Sequence, residues 1–492
     1  MLFHNLAFFL LFPFAVAATR MRISWQARKW ILVFLSYFVV FYTAWEPLFV
    51  GLVVALTCID WTVGRKIATA RTKGQRKFFL ICSLSVNLGL LGYYKFHDFL
   101  LDNLSGLAHV IGLDLEVNTA SVAIPLGISF YTFQSLSYTI DVYRGRPPCE
   151  SFVDYALFLA FFPRFVAGPI VRANQFLPQC EAPPTIDLER FCSGLSLIIV
   201  GVFAKLELAD RVLRPVVDRV FAAALSDGVG LFNVWTGILA YPCQLFFDFA
   251  GYSMAAIGAA RCLGFDLPQN FNLPFAAQSV TEFWRRWHIS LSMWIRDYVY
   301  MPLTMWFAKR TRRVPAGRAR DMLRPAGSFA AVVITMGLMG LWHGALWTMV
   351  LYGIGHGLVL TVEALRERSR RTKLPDPRPR TKIHAIVATY VIVSLLLVLF
   401  RSARIQDALT IWHHAVGAAA MLVSPDDLFP SLIVAAIVPC VTVAVHVLGR
   451  NSNFESLWSS CPPVVTGLLL GFMLFVLSLY HGGGNGFIYA GF

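Results

Sequence analysis

An all-α, polytopic membrane protein is the fold class this sequence predicts, and three observations predict it. The 492 residues are 57% hydrophobic and only 14% charged, with a mean hydropathy of +0.62, well outside the range of a water-soluble domain. The apolar residues gather in long runs, and the short loops between them collect Lys and Arg in the positive-inside pattern. No stretch reads as an internal repeat, a Gly-rich phosphate loop or a soluble domain, so residues 1–492 are expected to form one integral-membrane domain. A net charge of +14 would suggest a nucleic-acid partner if the basic residues shared one soluble face. Scattered between apolar runs they report topology instead, which excludes nucleic-acid binding. Nine cysteines, at 58, 82, 149, 180, 192, 243, 262, 440 and 461, show neither CxxC pairs nor zinc-type Cys/His spacing. They read as small buried hydrophobes, and no metal is expected.

The first apolar run, MLFHNLAFFLLFPFAVAATRMR, has its positive charges (Arg20, Arg22, Arg28, Lys29) after the apolar stretch, opposite to a signal peptide. It is expected to be a retained span with Arg20 in the cytoplasm. Residues 30–59 lie between two basic loops, so both ends are cytoplasmic, and Pro47 in the middle would break a helix. A short in-and-back hairpin with Glu46 near its tip follows. Residues 78–96 form a clear span, Asp98, Asp102, Asp114 and Glu116 mark an external segment, and 123–140 returns to Arg144 and Arg146. In 152–171 the motif FFPRFVAGPIVR sets Arg164 among Pro163, Gly168 and Pro169. Such a segment is either a cavity wall, where broken backbone is tolerated at membrane depth, or a kinked helix.

Residues 191–208 span again and lead into a mixed-charge, partly amphipathic stretch at 210–219 that suits an interface. In the run 231–264, Asp248 and Tyr252 are four residues apart and share a helix face. A lone carboxylate there is expensive, so Asp248 needs a partner or a wet cavity. LPQNFNLPF, which contains Asn270, is unsuited to a straight helix, and TEFWRRWHISLSMWIRDYVYMPL mixes tryptophans with Arg285, Arg286, His288, Arg296 and Asp297. The latter suits a helix lying at the cytoplasmic interface.

Basic loops at 309–324 and 366–382 require the run 328–363 between them to cross an even number of times. This run, TMGLMGLWHGALWTMVLYGIGHGLVLTVE at its centre, organises the chain. It carries His343 between Trp342 and Gly344, with Trp347 and His356 beyond. At 1.5 Å per residue His343 lies roughly 20 Å from the cytoplasmic start, near the middle of a ~30 Å hydrocarbon core. An intramembrane titratable ring is a functional-site hypothesis by default, and a histidine hydrogen-bonded to a neighbouring helix is the alternative. His356, His413 and His414 read as structural. Further spans are expected at 383–400, 432–448 and 464–480, with 411–423 too short to assign.

Taken together, MLFHNLAFFLLFP, NLGLLGYYKF at 87–96, PLGISFYTFQSLSYTIDVYRG at 125–145 and FFPRFVAGPIVR at 161–172 resemble the membrane-bound O-acyltransferase (MBOAT) family. FDFAGYSMAAIGAARCLGFDLPQNFN at 247–272, FWRRWHISLSMWIRDYVYMPL at 283–303, GLWHGALW at 340–347 and the terminal FIYAGF extend the match. The resemblance is to its bacterial alginate O-acetylation and teichoic-acid D-alanylation branch. It implies a ring of tilted and re-entrant helices around a thinned centre with a tunnel, in the bacterial inner membrane. It also implies a donor entering from the cytoplasm and an acceptor from the other side, with His343 at the family's catalytic histidine and His288 at its second polar position. Met254 and Thr304-Met305 depart from the family pattern.

Acyl transfer from a thioester to a hydroxyl needs a base for the hydroxyl proton and donors for the tetrahedral oxyanion. Burial disfavours a charged imidazole, which leaves His343 able to accept that proton. Trp342 and Trp347 are candidate indole donors or packing residues. His288 either orients the donor, relays a proton or bonds lipid headgroups. Arg285, Arg286 and Arg296 hold the phosphates of a CoA-like donor or anchor to anionic lipid. Asp248, Tyr252 and Asn270 are candidate tunnel residues. The expected activity is acetyl transfer from acetyl-CoA or another acyl thioester, with no bound cofactor, towards an exported or cell-surface polysaccharide through an extracytoplasmic acyltransferase partner. The alternatives are D-alanyl transfer from a carrier protein to teichoic acid, a transporter or flippase lined by His343, Asp248 and Arg164, and a scaffold for an export complex. On the residues alone, enzyme and transporter are equally supported, and the resemblance favours the enzyme.

Overall fold

The computed structural model describes residues 6–44, 46–113, 123–166, 168–225, 230–370, 382–417 and 429–479, which are helical throughout apart from turns and loops. Seven of the described helices are long and apolar enough to cross a membrane: Pro47–Thr69, Lys73–Lys95, Leu188–Ala223, Arg318–His343, Trp347–Ser369, Ile383–Arg401 and Ser431–Leu448. The chain is an all-α, multi-pass membrane protein. It forms two compact units, one holding the chain up to Val202 together with Tyr252–Pro268, the other Phe203–Gly251 and the chain from Gln269.

The first unit contains α1 (Leu6–Arg20), α2 (Trp25–Ala44), α3 (Pro47–Thr69), α4 (Lys73–Lys95), α5 (His97–Val110), α6 (Ile128–Tyr143), α7 (Phe152–Ala160), α8 (Ala173–Phe176) and most of α9 (Leu188–Phe203). The break at Pro47 is where the sequence places it, and Glu46 caps α3 by accepting from the Leu48 amide. The arms are longer than a short hairpin allows, however. At 20 and 23 residues, each extends ~30 Å or more, because helix continues into the flanking basic segments. The run 123–140 is also corrected: its helix starts only at Ile128, after Gly127 with φ 74°. Asp98 and Asp102 lie on α5, whereas Asp114 and Glu116 fall outside the described residues.

FFPRFVAGPIVR is broken rather than kinked, since α7 stops at Ala160 and a single 3₁₀ turn, Phe162–Arg164, follows. Arg164 is 1% exposed. Its guanidinium donates to the Phe158 carbonyl and lies over the Phe158 and Phe176 rings, a cation–π arrangement that replaces part of its lost hydration. Asp60 on α3 is buried as well, and accepts from Ser83 and Asn87 on α4 and Ser135 on α6. That network joins three helices through neutral donors.

The second unit begins with ten residues of π-helix, Ala204–Leu213, continuing into α10 (Arg214–Ala223). Of the mixed-charge stretch expected at an interface, Asp210 is internal, as are Lys205 and Glu207 just before it, whereas Arg211 and Arg219 are exposed. The wider π-turn redirects the side chains of an otherwise apolar helix. α11 (Leu231–Cys262) contributes its residues up to Gly251 here and those from Tyr252 to the first unit. Then come α12 (Val280–Arg286), α13 (Ile289–Ile295), α14 (Met301–Arg312), α15 (Arg318–His343), α16 (Trp347–Arg370), α17 (Ile383–Arg401), α18 (Ile405–Val416), α19 (Phe429–Leu448), α20 (Phe454–Ser459) and α21 (Pro463–Ser478).

The even number of crossings expected at 328–363 is realised as the α15–α16 hairpin. Glycines bring its backbones together: a Cβ on Gly340 would lie 2.0 Å from the Met349 carbonyl oxygen, and one on Gly353 2.0 Å from that of Met336. This is the close small-residue packing that membrane helices use where no hydrophobic drive separates lipid from protein.

Candidate active site

His343 is the last residue of α15, so it sits at the bend of the hairpin. Gly344 takes an extended conformation that a continuing helix does not allow. The histidine is 3% exposed. Around its ring stand Trp342 at 4.9 Å between centroids, Phe400 of α17 at 5.4 Å and Tyr352 of α16 at 6.5 Å, all edge-on. The Thr348 hydroxyl donates to the Ser402 carbonyl at 2.9 Å, tying the start of α16 to the end of α17 beside this cluster.

His288 is brought close to Trp342 as well, with 6.3 Å between ring centroids. The sequence reading of one interfacial helix over 281–303 fails here. Trp287 is extended and His288 has φ 41°, so the helix breaks into α12 and α13 and the imidazole turns fully inward. A left-handed backbone is uncommon for a residue of this size and costs of order 1–3 kcal/mol, which the surroundings must offset. Asn270 does so. Its Oδ1 accepts from Ser290 N at 3.3 Å and Ser290 Oγ at 2.9 Å, and lies 3.0 Å from His288 Nδ1. Its carbonyl accepts from Ile289 N at 2.9 Å.

This pattern fixes the histidine tautomer. A backbone N–H only donates, so the atom facing Ser290 is the amide oxygen, and Nδ1 of His288 must carry the proton it shares with that oxygen. In the neutral ring Nε2 is then the acceptor. Phe249 closes the remaining side, edge-on at 4.6 Å.

α12, which delivers His288, is held at both ends. Glu363 of α16 accepts from Val280 N, Thr281 N and Thr281 Oγ1 at 2.7–2.9 Å, capping the helix from outside. Glu282 binds Arg286 and Arg450, and Arg286 also donates to the Asn272 and Arg450 carbonyls. Arg286 is thus committed to structure. Arg285 is exposed, and Arg296 pairs with its neighbour Asp297 at 2.6 Å, which raises its pKa further. Of the three arginines, only Arg285 has no ion-pair partner among the described residues.

Asp248 finds the partner that its burial demanded, in Lys205 of the π-helical turn, which also binds Asp210 at 2.9 Å. Sequence reasoning missed Lys205 because its nearest charged neighbours in the chain, Glu207 and Asp210, make it look like one more interfacial charge. Tyr252 is buried in the first unit. Trp342 is 6% exposed, whereas Trp347 opens α16 with 54% of its surface uncovered by protein. Tyr352, Phe400 and Phe249 were also not singled out in sequence, since an apolar helix offers nothing to distinguish one aromatic from another. His413 is exposed on α18, while His356 is fully buried beside Trp284 and Tyr352.

Comparison with known proteins places this architecture. The profile of the membrane-bound O-acyltransferase family matches residues 150–314, which include Asn270 and His288. A probable alginate O-acetylase of Azotobacter vinelandii is 40% identical over 343 residues, covering 69% of this chain and 64% of the relative. The chain therefore spans just under two thirds of that protein's length. A probable alginate O-acetylase of Pseudomonas aeruginosa is 36% identical over 384 residues, 77% of this chain and 68% of the relative. A teichoic acid D-alanyltransferase of Streptococcus thermophilus is 34% identical over 289 residues, 56% and 68%. With its histidine hairpin, its inward-turned second histidine and relatives of this identity and coverage, the chain belongs to the membrane-bound O-acyltransferase family.

Proposed function

We propose that the protein is an O-acyltransferase that takes an acetyl group from a cytoplasmic thioester, acetyl-CoA, and delivers it across the bacterial inner membrane for O-acetylation of an exported polysaccharide. His343 is the base. The acceptor hydroxyl attacks the thioester carbonyl while His343 removes its proton. The tetrahedral intermediate then collapses with cleavage of the C–S bond, and the thiolate leaves with that proton, giving an ester and a free thiol. His288 presents its Nε2 lone pair beside Trp342 and orients the acceptor or relays its proton. The described chain acts as one membrane domain around a tunnel, with an extracytoplasmic acyltransferase partner finishing the transfer.

The observation that carries this reading is the pair of buried imidazoles near one indole, Trp342, with the tautomer of His288 set by Asn270. The alginate O-acetylase relatives support acetyl and polysaccharide. D-alanyl transfer from a carrier protein is the second reading, favoured by the Streptococcus relative.

Acetyl transfer from labelled acetyl-CoA by the purified chain in nanodiscs, with a glycan acceptor and co-purified partner, tests the proposal. Wild type transfers label, and His343→Ala at matched folding loses about 10² to 10⁴ in rate. Equal transfer by both removes His343 as base. Transfer from a D-alanyl carrier but not from acetyl-CoA selects the second reading, and substrate transport without ester formation overturns both.

A further inference from the structure

The basic ends of α14, α15 and α16 meet at one level. A Cβ on Gly327 of α15 would lie 3.0 Å from Phe307 Cβ of α14, and one on Gly357 of α16 would lie 2.9 Å from Val333 Cα of α15. Short connections make both helix pairs antiparallel, so the register carries forward from these contacts. Arg324, three residues before Gly327, is level with Arg310, three residues after Phe307. It also stands nine residues before Val333, and Arg366 stands nine after Gly357, which brings a third guanidinium to the same height.

At this level exposed apolar surface gives way to charge. α14 buries none of its residues, and Met301, Met305 and Trp306 stand exposed on it. On α16 the exposed Leu358, Val362 and Leu365 share one face by their spacing and lead straight into Arg366 and Arg368. Past that band, residues 309–324 carry seven Lys or Arg against one acid, Asp321. With Arg366 and Arg368 the three helix ends hold nine cations, all exposed except the half-buried Arg320. None of the nine has an ion-pair partner among the described residues, whereas Arg286, Arg296, Arg401 and Arg450 each find a carboxylate. The Arg310 guanidinium lies 4.6 Å over the Trp306 ring. Tryptophan favours the headgroup level of a bilayer, so the cation stacked on it is presented there too.

We infer that these helix ends form a docking surface for anionic phospholipid, whose phosphates lie among Arg310, Arg324 and Arg366 while its acyl chains cover the apolar band below. A soluble acidic partner would answer the charges alone. The band directly beneath them, on two of the three helices, selects a ligand that is anionic at one end and apolar at the other. A zwitterionic lipid carries its own cation beside the phosphate and leaves the nine unneutralised, whereas an anionic headgroup pairs with them.

The test reads the fluorescence of Trp306 in the full chain in nanodiscs, taken as the difference between each variant and the same variant carrying Trp306→Phe. A brominated lipid quenches an indole that it touches. Brominated phosphatidylglycerol diluted in phosphatidylcholine, and the converse mixture, therefore give the lipid preference at this site. Wild type prefers phosphatidylglycerol at least about tenfold, since each cation beside an anionic headgroup is worth about fivefold in affinity. Arg310→Gln and Arg324→Gln each lower the preference about fivefold, and the triple variant with Arg366→Gln abolishes it. Arg310→Lys with Arg324→Lys keeps it within about twofold. Equal quenching by the two lipids in wild type, or a preference that survives the triple variant, overturns the proposal. If the triple variant does not fold, wild type decides alone: about 1 M salt, where screening acts within ~3 Å, must weaken the preference, and an unchanged preference overturns the proposal. Displacement of the brominated lipid from Trp306 by an equimolar acidic carrier protein or an oligonucleotide assigns the surface to that partner and overturns it equally.

Discussion

Replacing Asn270 with leucine is the sharpest perturbation of the site that keeps side-chain volume. The Asn270 Oδ1 serves three groups, His288 Nδ1 at 3.0 Å, Ser290 N at 3.3 Å and Ser290 Oγ at 2.9 Å, and the residue is 1% exposed. Each buried donor left without an acceptor costs about 1–3 kcal/mol. Three of them bracket the loss at roughly 3–9 kcal/mol, reduced wherever local relaxation or water supplies a replacement. The left-handed backbone of His288, φ 41°, also loses the contacts that hold it, so the expected net loss is about 3 kcal/mol or more. Nδ1 is no longer pinned, the ring takes both tautomers, and a displacement of about 1 Å at the site costs on the order of 10² in rate. Reversible unfolding in mixed micelles measures the first effect and acetyl transfer the second. Asn270→Asp separates the two contributions. It keeps the accepting Oδ1 but replaces the amide nitrogen with a second, charged oxygen that draws a second proton onto His288, so it folds better than the leucine variant and still transfers poorly. A loss under about 1 kcal/mol with unchanged transfer in Asn270→Leu would show that Asn270 does not set His288.

Gly353→Ala pushes a methyl to 2.0 Å from the Met336 carbonyl oxygen. The backbone cannot yield as a flexible side chain would, so unfolding in micelles should register a loss of at least 1–3 kcal/mol, and a hairpin that opens at this level should also lose transfer. Lys205→Met strips the cation from Asp248 and Asp210, both buried, and should cost about 3–5 kcal/mol in the same assay. Adding Asp248→Asn to it recovers part of that loss, and additive losses in the double variant would contradict an ion pair.

Much of the architecture was legible in the chain because its physical cause is local. Hydropathy marks the spans and loop charge orients them. Pro47 splits α2 from α3, and Pro163 with Pro169 stops α7, since proline removes a backbone donor wherever it falls. The burial of His343 as a candidate site was legible for a related reason: a titratable ring is conspicuous in an apolar run. The buried Asp248 likewise announced that it required a partner, although not which one.

What the tertiary structure alone decided are the pairings and the directions. Lys205 answers Asp248 from 43 residues away, through a π-turn that no residue pattern signals. Trp287-His288 reads as the middle of an amphipathic helix, yet the hydrogen bonds from Asn270 and the ring of Phe249 are worth more than the helical turn they interrupt, so His288 points inward. The arginines beside it show the converse, because whether a guanidinium is available for a ligand depends on Glu282 and Asp297 being within reach. Composition and periodicity constrain which face of a segment is buried, but the tautomer of a histidine depends on a single oxygen brought from elsewhere in the chain, and only the folded backbone supplies it.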